Sequence, residues 1–313
     1  MRKKCQDTPK LYFSSLIPRM PIAKKPWIEQ FLPFFANPFF IGRVVRYGPF
    51  INPTLRPLSG CIGADKALIL NAFPASVRGE VLVFDASSIP TVHQLSFPYY
   101  IKPAIGERSV NVYRIETEAD FMVLKNANLF ASGVWIAQEA FTGTEFGVSV
   151  VRTPETGLLT IVFLTEKCVT GNAHTASIAN GATFRELLHT ADSLLIQSFT
   201  EKLEALFAST PLLADFHAGR FDLKARDLTA LLSGEFKLIE LNGIGGLPLA
   251  YFGDDPYTQW NSYFLTLLAI GKKNSKRFSF FARLGRIFSD IPRVAFFVFK
   301  QKHFRAYWRL SRR

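Results

Sequence analysis

Short apolar segments alternating with amphipathic ones predict a mixed α+β fold. Three observations carry that expectation. Segments of strand length recur from Phe97 to Asn242, a helical apolar period runs through 182–207, and Gly, Pro, Asp and Ser punctuate the joints between them. Taken in order, residues 1–60 are rich in Pro and Phe around WIEQFLPFFANPFFIGRVV, and the glycines and prolines of 48–60 read as turns and extended chain. Residues 64–73 read as a helix and 80–84 as a short strand. FPYYIKP (97–103) and NVYRI (111–115) read as strands, followed by a helix over 117–127. VWIAQEAF and FGVSVVR read as strands on either side of the turn TGT, with LTIVFLTEK as the next. Phe184, Leu187, Leu188, Ala191, Leu194, Leu195, Phe199, Leu203, Leu206 and Phe207 fall at helical spacing, which predicts one helix over 182–207. AGRFDLKAR and FKLIELN read as strands flanking the turn LLSGE, and 256–271 as a helix. The chain thus divides into a Pro/Phe-rich region 1–63, a central domain 64–271 and a basic tail 272–313, with no internal repeat.

The chain has 313 residues, 48% of them hydrophobic, enough for a sizeable core. Its charge is uneven. From Lys272 onward there are thirteen Lys/Arg against one acidic residue, Asp290, a surplus that equals the net charge of +12 of the whole chain. The first 25 residues are also basic, with Arg2, Lys3, Lys4, Lys10, Arg19, Lys24 and Lys25 against Asp7. Two basic ends on a balanced middle suit a surface that docks on something anionic better than a uniform nucleic-acid coat. Cys5, Cys61 and Cys168 are odd in number and widely spaced, which excludes a disulfide framework and metal-type Cys spacing and fits a reducing, cytoplasmic compartment. The prolines at 9, 18, 21 and 26 break any signal-peptide pattern, and no uncharged run approaches the ~18–20 residues that span a bilayer.

The chemistry concentrates on strands. Glu240-x-Asn242 in FKLIELNG puts a carboxylate and an amide on one face, because strand side chains alternate. Such a pair suits a hard cation such as Mg²⁺. Arg220 and Asp222 in GRFDLKA form a second i, i+2 pair, in which the carboxylate can join the metal and the arginine can hold a phosphate with two parallel hydrogen bonds. The plainer reading of each pair is a solvated strand face, but the apolar neighbours favour a cleft. Lys102, at the end of a buried strand and before a Gly-containing loop, can reach a phosphate covered by backbone N–H groups. Gln138-Glu139-Ala140-Phe141 before the turn, and Glu145 after it, can hold an adenine edge and ribose hydroxyls; an ordinary β-hairpin is the alternative. The loop 167–181, small, polar and Gly-containing, suits a mobile cover. His174 within it and His217 near Arg220 are candidate bases or phosphate contacts, against plain loop and packing roles.

Asp65-Lys66, FPYYIKP with its GE, AQEAFTGTEFGV, GRFDL and IELNGIGG, in that order and spacing, resemble the ATP-grasp superfamily, and most of all its D-alanine–D-alanine ligase and carboxylate–amine ligase group. The resemblance covers roughly residues 64–255. It implies two α+β subdomains sandwiching ATP, and a ligase that activates a carboxylate as an acyl phosphate and joins it to an amine. Residue by residue, it implies phosphate contacts at Lys66, Lys102 and Lys167, and an adenine-binding hinge at Gln138, Glu139, Ala140 and Phe141. It further implies a ribose carboxylate at Glu145 and catalytic charge stabilisation at Arg220 and Lys102. Asp222, Glu240 and Asn242 become ligands of two Mg²⁺ ions, or Mn²⁺ in their place, with Glu240 bridging. Gly245 and Gly246 would turn backbone N–H groups toward the substrate. The ligases it resembles carry an N-terminal βαβ domain, whereas residues before Asp65 lack strand–helix periodicity, so D-alanine is not implied as substrate. A non-catalytic ATP-binding switch on a membrane is the alternative, which the Arg220, Asp222, Glu240 and Asn242 set argues against.

In the tail, Phe280, Phe281, Leu284, Ile287, Phe288 and Ile291 fall at helical spacing with Arg283, Arg286 and Arg293 off that face. VAFFVF, then Phe304, Tyr307, Trp308 and Leu310 among Lys/Arg, follow Pro292. A basic amphipathic helix of this kind lies in an anionic membrane interface, here the inner face of a membrane, with Trp27–Phe40 as companion surface. Packing on the domain or a homodimer interface is the second reading. Single-stranded nucleic acid is the third, and no recognised nucleic-acid motif supports it.

Overall fold

The structure, a computed structural model, describes residues 38–60, 64–91, 94, 96–106, 111–168, 182–246 and 256–300. The loop segment 169–181 with His174, residues 107–110, most of Trp27–Phe40 and the aromatic residues from Phe304 onward lie outside the described residues.

The chain builds two antiparallel sheets. Strands β1 (Val81–Phe84), β2 (Tyr99–Pro103), β3 (Tyr113–Ile115) and β4 (Trp135–Glu139) form the first, in the order β1-β4-β2-β3. Strands β5 (Thr144–Arg152), β6 (Leu159–Cys168), β7 (Thr183–Glu186), β8 (Ala218–Ala225) and β9 (Lys237–Asn242) form the second, in the order β7-β6-β5-β8-β9. Residues 140–143 carry the chain from β4 into β5 and so join the sheets. Gly143 sits there at φ +108, where a side chain would collide with the Ala225 carbonyl; only glycine fits that crossing. The helices are α1 (Pro38–Tyr47), α2 (Lys66–Ala72), α3 (Ala75–Arg78), α4 (Glu118–Asn126), α5 (Ser193–Ser209), α6 (Leu228–Leu232), α7 (Pro256–Ser275) and α8 (Phe280–Lys300). The fold is mixed α+β, as the interleaved pattern predicts.

Side-chain caps fix several helix starts. Asp65 accepts from the Ala67 and Leu68 N–H groups ahead of α2, and Thr117 and Asp120 form a reciprocal capping box on α4. The single helix expected over 182–207 is in fact a strand and a later helix. Thr183–Glu186 pairs with β6 from Cys168 to Thr165, and Asp192 accepts from Leu194 and Leu195 N–H to start α5. Leu194, counted on the apolar face, is 74% exposed. Pairing with an open sheet edge overrides a periodicity that a short strand shares with a helix turn. The expected turn LLSGE also begins inside a helix, α6, capped by Asp227.

The main core lies on one face of the five-stranded sheet. Phe146, Val148, Val150, Leu164, Phe221 and Leu223 meet Phe199, Leu203 and Phe207 of α5. Two β-bulges tune this face. The register shifts between Asp222 and Leu223 where β8 meets β9, so that Leu238 and Leu241 both enter the core while Glu240 stays opposite Asp222. A second shift lies between Ser149 and Val150 against β6. The first sheet has its own core of Phe84, Tyr99, Ile101, Phe121, Phe130 and Trp135.

Residues 48–60 are stitched to the second sheet by Asn52. Its amide donates to Ala218 O at 2.7 Å and accepts from His217 and Ala218 N–H at 2.7 and 3.0 Å. In the tail helix Arg286 lies off the face of Phe280, Phe281 and Phe288, as their spacing predicts. Arg286 faces the domain and donates to Pro53 O, with its guanidinium over the rings of Phe278 and Phe50. Asp290 is fully buried against Arg56, while Phe280, Phe281 and Phe288 face outward. Arginine side chains pack well on aromatic rings.

Candidate active site

The second face of the five-stranded sheet carries the polar residues. Directly paired residues share a face, and the pairs here are Glu145 with Lys167 and Lys224, Gly147 with Asp222, Ser149 with Arg220, Arg220 with Asn242, and Asp222 with Glu240. The first sheet and α2 close on this face from the other side. Lys66 opens α2, whose backbone start is tied to Ala104 O at 2.9 Å, and its ammonium pairs with Glu240. Lys102, buried on β2, donates to Gln138 Oε1 at 2.8 Å and to Ile239 O at 3.1 Å. Gln138 in turn donates to Leu238 O at 2.9 Å and Arg78 O at 3.3 Å. Strand β9 is therefore gripped from the first sheet by a lysine and an amide.

On the sheet itself, Lys167 Nζ lies 2.7 Å from Glu145 Oε1 and 3.0 Å from Asp222 Oδ1. Arg220 holds Asp222 in a two-pronged pair, Nε to Oδ1 at 2.7 Å and a terminal N–H to Oδ2 at 3.0 Å. Asn242 Nδ2 approaches the same carboxylate at 3.4 Å. Lys66, Lys102, Glu145, Lys167, Arg220, Asp222, Glu240 and Asn242, separated by up to 176 positions in the chain, thus share one cleft between the sheets.

Four cations there face three carboxylates, leaving positive charge in excess in a place poor in water, where fields are strong. Burial pushes the Lys102 ammonium down to about 8, with Glu240 partly opposing and Lys66 adding to the fall. Burial alone would raise Asp222, but the Arg220 guanidinium and then Lys167 hold it at about 2. Glu240 is likewise lowered, Lys66 and Lys102 outweighing its burial. The arrangement stores ionised groups of both signs that are satisfied by each other, and an incoming polyanion can exchange with the carboxylates for the same cations.

Other expected residues have their polar groups committed within the protein. Glu139 N–H donates to Glu80 O at 3.0 Å and Ala140 N–H to Pro98 O at 3.1 Å, while Phe141 O accepts from Lys224 at 3.0 Å. The Gly245 N–H points to Gly60 O at 3.4 Å and the Gly246 N–H to Gly243 O at 2.9 Å, and the Ile244 N–H donates to Ser59 O at 3.2 Å, so the start of the loop after β9 packs beside residues 59–60. A side chain at Gly246 would strike Asn242 Cβ and crowd Arg220, which explains its glycine. His217 stands apart from the network: burial and then Arg152 push its imidazole down to about 4, so it is neutral beside that arginine.

Sequence reasoning missed the far end of the cleft. Ser149 lies opposite Arg220, its hydroxyl buried and without a hydrogen-bond partner. Tyr263 of α7 is buried near Arg220, and burial raises its phenol. Period-two alternation from Glu145 would have placed Ser149 on the charged face; Tyr263 carried no such signal.

Among the described residues no group of three or more His, Cys, Asp and Glu side chains converges as a metal centre. Asp222, Glu240 and Asn242 instead offer two carboxylates and one amide on adjacent strands. Hard oxygen donors in that number fit Mg²⁺, which is held by one or two carboxylates together with waters and substrate phosphates.

No family model and no curated protein matches the chain. Solved structures do. A D-alanine–D-alanine ligase from Bacillus anthracis is 14% identical, over 70% of this chain and 69% of that one, with a TM-score of 0.46. The VanG D-Ala:D-Ser ligase from Enterococcus faecalis is 14% identical over 74% of this chain and 62% of that one, at 0.43. An ADP complex of purK, an N5-carboxyaminoimidazole ribonucleotide synthetase, is 16% identical over 59% of this chain and 45% of that one, at 0.42.

Proposed function

We propose that the chain is an ATP-dependent carboxylate–amine ligase of the ATP-grasp type. The observation that supports this reading is the shared cleft, in which Lys66, Lys102, Lys167 and Arg220 surround Asp222 and Glu240. In the proposed reaction a carboxylate oxygen attacks the γ-phosphorus of ATP, the bond to the β–γ bridging oxygen breaks and ADP leaves. An amine or related nucleophile then attacks the carbonyl carbon of the acyl phosphate. The new C–N bond forms, the C–O bond to phosphate breaks, and phosphate departs as the amine gives up a proton. Charge grows on the transferring oxygens, so fixed cations in a dry cleft do most of the work. Lys66, Lys102 and Lys167 would exchange their present partners for phosphate oxygens, and Arg220 would hold the phosphoryl group in flight with the same two-pronged geometry it now gives Asp222. Mg²⁺ held by Asp222, Glu240 and Asn242 would, when bound, neutralise phosphate charge. Glu145 would hold ribose hydroxyls beside the 139–141 crossing.

Phosphate release from Mg-ATP, measured with pools of amino acids, hydroxy acids and small amines, tests this. Stimulation by a carboxylate–nucleophile pair is the expected result. ATP binding with no pool stimulating release would favour a nucleotide-operated switch instead.

A further inference from the structure

α8 has two faces of opposite character. At about 100° per residue, Phe281 and Phe288 lie ~20° apart and Phe280 ~80° from Phe288, whereas Asp290 lies ~180° from Phe281. The Asp290 side is docked. Its carboxylate accepts from Arg56 Nε at 3.0 Å, and the Arg286 guanidinium lies 5.2 Å from the Phe278 ring centroid and 5.9 Å from that of Phe50. The other side leaves Phe280, Phe281 and Phe288 exposed by 60%, 81% and 66%. Three large aromatic side chains gathered on one helix face form a patch that folded proteins seldom leave to water.

The surroundings say what covers it. Lys272 and Lys276 stand exposed just ahead of the helix, and the stretch from Lys272 to the end carries thirteen Lys/Arg. Its one acidic side chain, Asp290, is neutralised inside the domain by Arg56. Among the described residues of this stretch the exposed cations, Lys272 and Lys276 included, precede the helix, and no carboxylate is exposed. No helix among the described residues is long and apolar enough to cross a membrane. We propose that α8 docks the protein flat on an anionic lipid bilayer, with Phe280, Phe281 and Phe288 entering the boundary between headgroups and acyl chains and Lys272 and Lys276 contacting lipid phosphates. This inference is independent of the nucleotide chemistry.

Sedimentation of the full chain with vesicles tests it. The protein should bind phosphatidylglycerol–phosphatidylcholine vesicles, bind pure phosphatidylcholine poorly, and be released as salt rises from ~0.1 M to ~1 M. The double variant Phe281→Ser, Phe288→Ser should bind on the order of tenfold more weakly with an unchanged melting temperature, since both side chains face solvent. Lys272→Glu with Lys276→Glu should weaken binding to the anionic vesicles alone. Failure of the parent protein to bind, or equal binding by the phenylalanine variant, overturns the proposal. So does a parent dimer that the phenylalanine variant converts to monomer, which would assign the face to a second copy of the chain.

Discussion

The two faces of the five-stranded sheet are built from the same strands yet obey different rules. On β8, Phe221 and Leu223 point into a core with Phe199 and Phe207, while Arg220 and Asp222, alternating with them, point into the cleft. The core face gains stability from every side chain it buries. The cleft face buries charges, whose desolvation is unfavourable and is offset only by their pairing. A sheet selected for stability alone would fill both faces with apolar residues. The polar face is what a protein keeps when it needs to hold something charged.

The largest test of this contrast is Glu240→Gln. It keeps the shape of the cleft but removes the partner of Lys66, so melting should fall by several degrees while the protein stays folded, and turnover of the stimulating substrate pair should fall by roughly 10³ or more. Unchanged turnover would remove Glu240 from the working face. Phe221→Ala on the opposite face should do the reverse. Denaturant titration should register a loss of about 3–5 kcal/mol, with the cleft chemistry intact in whatever fraction remains folded.

A smaller effect separates the faces by pH. The Asp222 carboxyl is held at about 2, below its ordinary 3.8, so the ion pairs with Arg220 and Lys167 stabilise the fold fully above pH 3.8 and lose that contribution as pH falls toward 2. Removing the carboxylate in Asp222→Asn should destabilise the protein at pH 7 by roughly 2 kcal/mol or more. The gap between variant and parent should narrow as pH falls through that window; a gap independent of pH would contradict the pairing.

Much of the cleft was legible because strand alternation is local. Glu240-x-Asn242, Arg220-x-Asp222 and Lys102 could be placed on faces from two or three neighbours each. What the sequence hid was set at a distance. β7 exists because β6 offers an open edge to Thr183–Glu186, and the bulge that keeps Glu240 beside Asp222 depends on β8 meeting β9. The commitment of the Ile244 and Gly245 N–H groups follows from the Ser59 and Gly60 carbonyls lying beside them, 185 positions earlier. The inward turn of Arg286 follows in the same way from Phe50, Phe278 and Pro53, partners no helical wheel contains.

The central claim is that the cations of the cleft exist to receive a polyphosphate, and calorimetric titration of Mg-ATP into the parent and Lys102→Met proteins tests it most directly. With burial holding its ammonium at about 8, Lys102 is protonated at pH 7 and increasingly neutral above pH 8. Parent binding at pH 7 should weaken toward pH 9, and the variant should bind about tenfold or more weakly at pH 7 with most of that pH dependence gone. Equal affinity of the two proteins, or no binding by the parent at either pH, would contradict it.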